Sequence, residues 1–388
     1  MKPLDLSNTK RIVVKIGSAL LTDTKKGTIK SDWLQSLVKD IAHYSKKENI
    51  EFVIVSSGSI SLGRKYIQTS KQELRLEEKQ AAAACGQAEL VRHFQKAFHK
   101  YKRHAAQILL TLQDSENRRN YLNAKNTIET LLANNIIPVI NENDTVTTQE
   151  IRFGDNDRLA ARVAQMVSAD LLILLSDIDG LYTSNPLLNK DAQHIDIVKK
   201  ITKSIQKMAG TSLSDVGSGG MITKIEAATI ATQNGCNMTI SKGNIKHPIR
   251  RLFNGAKHTF FHASKNHLSA KKLWFYSSLS VSGKIIIDDG AYKALLNGGS
   301  LLPAGVIDVK GDFERGDIVS ICNNKSEEIG RGLVAHSSQD ANLMKGHQTA
   351  DIEHIIGLNG RNALIHSDDL VVAIDEQSTP NQQNKEAS

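Results

Sequence analysis

Apolar residues fall along this chain in short unbroken runs, separated by longer stretches of helical spacing. The first run, Arg11-Ile-Val-Val-Lys-Ile-Gly17, is β-branched and ends at a glycine. Trp33, Leu34, Leu37, Val38 and Ile41 then recur at helical spacing, with Ser31 or Asp32 as the candidate cap. Phe52-Val-Ile-Val55 predicts a buried strand that ends in Ser56-Ser-Gly-Ser59. Residues 77–97 predict a helix that Gly86 interrupts. Ile108 to Leu112, Ile136 to Ile140 and Leu171 to Leu175 are further apolar runs, with helix-like stretches at 120–134 and 156–168.

Strands alternating with helices predict an α/β fold, a mostly parallel sheet sandwiched by helices. Strands buried on both faces read as continuous apolar runs, as these do. Four runs end in polar or glycine-rich residues: Gly17-Ser18, Ser57-Gly58, Asn141-Glu-Asn-Asp144 and Ser176-Asp177. Ligands of open α/β sheets sit beyond the carboxyl ends of strands, so these endings are site candidates.

The pattern changes after about residue 270. Ile285-Ile-Ile287, Val306 to Val309, Ile318 to Cys322 and Leu333-Val-Ala335 read as short strands between glycine turns. They predict a small C-terminal β-rich domain of half-open-barrel type. The expected division is a first domain over 1–270, a second over 280–366, and a polar, disordered tail over 376–388.

Composition narrows the function classes. Three cysteines, Cys85, Cys236 and Cys322, lie far apart without a CxxC pair. That speaks against a disulfide framework and a thiolate zinc site, and suits a reducing compartment. No stretch approaches the roughly 18 apolar residues of a membrane span. The opening residues lack the apolar core and cleavage site of a signal peptide, so a cytoplasmic protein without a membrane partner is expected. The net charge is +8, yet residues 274–370 hold 8 lysines and arginines against 13 acidic residues. The C-terminal domain therefore lacks the basic stripe that RNA binding leans on, and RNA is not the expected partner. The basic surplus lies before residue 274, where a polyanion such as ATP, or solubility alone, accounts for it.

Phosphate binding calls for backbone N–H groups and lysines that converge. The Walker pattern is absent, and no GxGxxG follows the first strand. Two other elements meet the need. Lys15 lies inside the first strand, where burial unpaired is costly and an anionic ligand would offset it; the alternative is a lysine facing solvent. Gly217-Ser-Gly-Gly-Met-Ile-Thr-Lys224 opens a helix, either as a phosphate loop or as an ordinary flexible connection. In Phe153-Gly-Asp-Asn-Asp157, Asp155 or Asn156 can simply cap the next helix, although three polar residues exceed what one cap needs. Asn141 to Asp144 can be a plain Asx-rich turn. His258 and His262 flank two phenylalanines and do not read as a metal pair. No GxSxG elbow is present, which leaves Ser57 a poor hydrolase nucleophile.

Taken in order, Val13-Val-Lys-Ile-Gly17, Val55-Ser-Ser-Gly58, Asn141-Glu-Asn-Asp144, Phe153-Gly-Asp-Asn-Asp157, Ser176-Asp-Ile-Asp-Gly-Leu-Tyr182 and the loop at 217–224 resemble the amino acid kinase family. Ser300-Leu-Leu-Pro-Ala-Gly305 and Gly311-Asp-Phe-Glu-Arg-Gly316-Asp resemble a PUA domain. The likeness spans roughly residues 8 to 370. It implies the amino acid kinase fold followed by a PUA domain. The pairing points to ATP-dependent phosphorylation of the side-chain carboxylate of L-glutamate, rather than to acetylglutamate, carbamate, aspartate or UMP as acceptor. It further implies glutamate binding by Ser57, Asp144 and Asn156. ATP binding falls on Lys15, Ser176, Asp177, Ser218, Gly219, Gly220, Met221, Ile222, Thr223 and Lys224. Serine at 176 and 218 stands where threonine is common in the family, and the hydroxyl is kept.

A carboxylate is already a nucleophilic anion, so the reaction requires no general base. Catalysis is then positioning plus cationic stabilisation of the transferring phosphoryl group. Lys15 and Lys224 are assigned that charge role, with Asp157 orienting them. Mg²⁺ is expected to arrive with ATP, since no dedicated carboxylate cage is visible. The resemblance also suggests a homo-oligomer and proline as feedback inhibitor.

Overall fold

The computed structural model describes residues 3–23, 26–68, 73–146, 155–209, 220–264, 281–348, 351–352, 354 and 363–372. Two compact units divide the chain between Leu268 and Ser269. The tail 376–388 lies outside the described residues.

The first unit is built on eight strands: β1 (Arg11–Ile16), β2 (Glu51–Ser56), β3 (His104–Leu110), β4 (Ile136–Glu142), β5 (Leu171–Ser176), β6 (Ile197–Val198), β7 (Asn237–Lys242) and β8 (His258–Phe261). Their spatial order is β6-β8-β7-β5-β1-β2-β4-β3. Every neighbouring pair is parallel except β7 with β8. Helices cover both faces: α1 (Ser31–Lys47), α2 (Ser59–Gly63), α3 (Leu76–His99), α4 (Arg118–Ala133), α5 (Asp155–Met166), α6 (Met221–Gln233) and α7 (Pro248–Phe253).

Alternation along β1 sorts its side chains between two cores. Ile12, Val14 and Ile16 pack with Leu37 and Ile41 of α1 and with Phe94 and Phe98 of α3. Val13 packs in the other core, with Leu159 and Val163 of α5 and Ile225 and Ala228 of α6. Lys15 shares the parity of Val13, so it projects on the side that α5 and α6 cover. This is why a lysine in an apolar strand meets polar groups at the starts of those two helices.

Several elements differ from the sequence pattern for local reasons. The run at 108–112 stops as a strand at Leu110, because Thr111 caps a short helix: its hydroxyl accepts from the Asp114 N–H, and its own N–H donates to the Asp114 carboxylate. No strand is evident in the pattern over β7, whose buried Thr239 and Ser241 break the apolar run. The Thr239 hydroxyl is satisfied by the Thr259 carbonyl at 3.1 Å. Gly86 does not interrupt α3. An added Cβ there would lie 1.8 Å from the Ser59 carbonyl oxygen, and one on Gly63 would lie 1.7 Å from that of Ala82. The two glycines permit α2 and α3 to cross backbone against backbone.

The second unit holds a five-stranded sheet: β9 (Gly283–Ile287), β10 (Val306–Gly311), β11 (Ile318–Cys322), β12 (Glu328–Leu333) and β13 (Leu370–Val372), ordered β10-β9-β11-β12-β13. Only β9 and β11 run parallel. Ile285, Ile287, Val319, Ile321, Phe313 and Leu301 are among its core residues. The run at 333–335 closes β12 rather than forming a strand, since the Val334 N–H turns to the Asp317 carbonyl. Among the described residues, no helix is long and apolar enough to cross a membrane.

Candidate active site

In the first sheet β5, β1, β2 and β4 lie side by side and parallel. Their carboxyl ends therefore share one edge. Gly17-Ser18, Ser57-Gly58, Asn143-Asp144 and Ser176-Asp177 become neighbours there, as the rule for open α/β sheets requires of a site.

One cluster is cationic. The Lys15 ammonium stands 2.6 Å from one Asp157 carboxylate oxygen, and the Lys224 ammonium 3.1 Å from the other. The Thr223 hydroxyl donates to the same oxygen as Lys224, at 3.0 Å. Asp157 is fully buried, and both lysines are buried. Two ammoniums thus face one buried carboxylate. Burial alone would raise the Asp157 pKa, but Lys15 and Lys224 hold it below the usual carboxylate range. For Lys15, burial is the largest influence and lowers the pKa; Asp157 opposes it, and the Lys224 charge pushes it down further.

A second cluster is neutral apart from one carboxylate. The Asn156 amide donates to the Ser57 hydroxyl at 2.6 Å and to Asn141 Oδ1 at 3.3 Å. Asn141 in turn donates to Gln87 Oε1 at 2.8 Å and to the Ser59 hydroxyl at 3.3 Å, and Ser59 donates to Asp144 Oδ2 at 3.1 Å. Asn156 therefore serves this cluster and does not cap α5 with its side chain. Its Oδ1 is buried without a hydrogen-bond partner among the described residues. Ser59 falls in the polar strand ending Ser56-Ser-Gly-Ser59 without being singled out there, and the signal for Gln87 is Gly86, the glycine inside a helical pattern beside it.

The third group lies where α6 begins. Gly220 is its N-cap and, having no side chain, supplies no side-chain cap, so among the described residues Met221 and Ile222 stand at a helix start without one. The Ser176 hydroxyl donates to Asp177 Oδ1 at 2.9 Å, at the end of β5. Asp177 also contributes to the field at Lys15. Ser218 and Gly219 lie outside the described residues. Among the described residues no group of three or more histidines, cysteines or acids could hold a metal ion. Asp157 is already committed to two ammoniums, so the donor set suits a cation that arrives bound to its ligand.

Residues 10–242 match the model of the amino acid kinase family, and residues 283–356 match that of the PUA domain. A glutamate 5-kinase of Nitrobacter hamburgensis is 52% identical over 372 residues, covering 96% of this chain and 98% of that protein. A glutamate 5-kinase of Rhodopseudomonas palustris strain BisB18 is 52% identical over 368 residues, covering 95% and 98%. Among solved structures, UMP kinase from Ureaplasma parvum superposes with a TM-score of 0.48 at 16% identity, over 66% of this chain and 99% of that one.

Proposed function

The chain belongs to the amino acid kinase family, among its glutamate 5-kinases, and on that footing we propose how its own residues carry out the reaction. The activity is ATP-dependent phosphorylation of the γ-carboxylate of L-glutamate to γ-glutamyl phosphate, the first step of proline biosynthesis.

A carboxylate oxygen attacks the γ-phosphorus, the bond to the β–γ bridging oxygen breaks, and ADP leaves with the electron pair. No proton moves, so no base is needed. The barrier lies in bringing one anion to another. Lys15 and Lys224 lower it by facing the charge that spreads over the transferring phosphoryl oxygens. Asp157 bridges both ammoniums and fixes their positions, so little reorganisation is left to the reacting state. This bridge is the observation that supports the reading: two buried lysines are held on one buried carboxylate at the strand ends, where the transferring phosphoryl oxygens would meet their ammoniums.

Asp144 and the Asn156 amide oxygen take the substrate's ammonium group, while the Ser57 hydroxyl, which accepts from Asn156, has its proton for the carboxylate end. The open acceptor on Asn156 supports that role, because a buried oxygen without a donor is costly and a ligand N–H would relieve it. ATP lies over Lys15, Ser176 and Asp177 and along residues 218–224, with its phosphates at the start of α6. Mg²⁺ belongs to the nucleotide and neutralises part of the phosphate charge. The protein acts in the cytoplasm as a homo-oligomer with proline as feedback inhibitor, as the family resemblance suggests.

The test is γ-glutamyl hydroxamate formation from MgATP, L-glutamate and hydroxylamine, beside N-acetylglutamate and aspartate. Hydroxamate with glutamate alone is the expected result. No turnover with any acceptor, from folded protein, overturns the reading.

A further inference from the structure

Asn141 is the hub of the substrate cluster, and one of its contacts fixes the sense of all the others. Its Oδ1 accepts from the backbone N–H of Glu142 at 2.9 Å, and a backbone N–H can only donate. The amide nitrogen must therefore face the other way, toward Gln87 and Ser59. Gln87 must then present its oxygen, at 2.8 Å. Ser59 accepts from Asn141, which leaves its own proton for Asp144. All four side chains are buried. The polarity thus runs in one direction, from the Glu142 N–H through Asn141 to Gln87 and to the Ser59–Asp144 pair.

We propose that Gln87 is a positioning residue for the amino-acid substrate: its carbonyl oxygen, carried on α3, locks the Asn141 amide and through Ser59 holds the Asp144 carboxylate in the orientation that receives the substrate's ammonium group. The inference rests on the reading that Asp144 binds that group. The fold supplies the means. The close crossing at Gly63 and Gly86 sets the residue after Gly86 and the first residue of α2 on two sides of one amide. The same Asn141 oxygen accepts from Asn156, which donates to Ser57, so one amide aligns both halves of the glutamate site. Without an acceptor at position 87, one buried Asn141 N–H is orphaned and the amide tilts to find water. Ser59 then loses its fixed donor, and Asp144 turns more freely.

The experiment measures steady-state kinetics of the full chain for Gln87→Leu, Gln87→Glu and Asp144→Ala. Gln87→Leu is expected to raise KM for glutamate about tenfold, the effect of one lost buried hydrogen bond. Its kcat and its KM for MgATP are expected to stay within about twofold, a split that general loosening of the fold would not produce. Gln87→Glu keeps a carbonyl acceptor and is expected to recover most of the loss. Combining Gln87→Leu with Ser59→Ala is expected to cost less than the sum of the two, since both break one relay. An unchanged KM in Gln87→Leu, beside a raised one in Asp144→Ala, overturns the role of Gln87. So does a uniform loss of kcat and both affinities, or no recovery in Gln87→Glu. An unchanged KM in Asp144→Ala overturns instead the assignment of Asp144 on which this rests. Should Gln87→Leu fail to fold, Ser59→Ala alone breaks the other link: a raised glutamate KM supports the relay, and an unchanged one removes it.

Discussion

The Asp157 carboxylate, at the start of α5, stands 2.6 Å from the ammonium of Lys15, inside β1. Each makes the burial of the other tolerable, and Lys224 meets the opposite oxygen. Asp157→Asn leaves the geometry in place and removes the charge that holds the two lysines. We expect kcat to fall about 100-fold or more, on the scale of losing a preorganised electrostatic contact, with a smaller change in KM for glutamate. Retention of wild-type kcat would remove the bridge from the mechanism.

The same substitution has a signature in acid. Asp157 titrates below its ordinary value of 3.8 when folded. A depressed carboxylate contributes stability that is fully present above the unfolded pKa and is lost as pH falls through the folded one. The stability difference between wild type and Asp157→Asn, about 3–5 kcal/mol for breaking a buried pair, should hold from neutral pH down to about pH 4. Below that it should shrink. Denaturant unfolding of both proteins across pH 7 to 3 measures it; a gap that widens in acid contradicts the pairing.

Lys15 predicts an alkaline limb. Burial and the Lys224 charge lower its pKa, so it loses its proton at lower pH than an ordinary lysine, near 10.4. Activity should decline as pH rises through that lowered value. Lys15→Arg stays charged throughout and should move the limb upward, whatever its effect on the plateau rate. An unmoved limb would assign the titration to another group.

Lys224 and Asp144 should separate in kinetics. Lys224→Ala is expected to cut kcat far more than it raises KM for glutamate, because its ammonium acts on the transferring group. Asp144→Ala is expected to raise KM for glutamate about tenfold or more, while KM for MgATP hardly changes. The opposite pattern in either variant would exchange their roles.

Chelation offers a test of where the metal belongs. With no metal-holding cluster among the described residues, EDTA should abolish turnover and leave the melting temperature of the ligand-free protein unchanged. A drop in melting temperature on chelation would reveal a protein-held ion.

How much of this was legible beforehand follows from what periodicity can report. The continuous runs of β1, β2, β4 and β5 and the amphipathic spacing of α1 and α5 are local signals, as are the polar strand endings. Gly86 is a local signal whose sense the pattern alone does not carry: a glycine in a helical pattern predicts a break, while its neighbour across space, the Ser59 carbonyl, lies far from it in the chain.

By itself, then, the sequence determined the alternation of strands and helices, the shift to β structure after about residue 270, and the set of polar groups at strand ends and helix starts. Those features depend on residues within one element, where side-chain period and turn chemistry suffice. Tertiary structure decided the strand order that sets β5, β1, β2 and β4 edge to edge, the choice of Asp157 as the shared partner of Lys15 and Lys224, and the entry of Gln87 into the substrate cluster. Each of those depends on which distant segments a parallel sheet and a close helix crossing bring together. A buried charge or amide takes the partner that packing places within reach, and no local spacing names that partner.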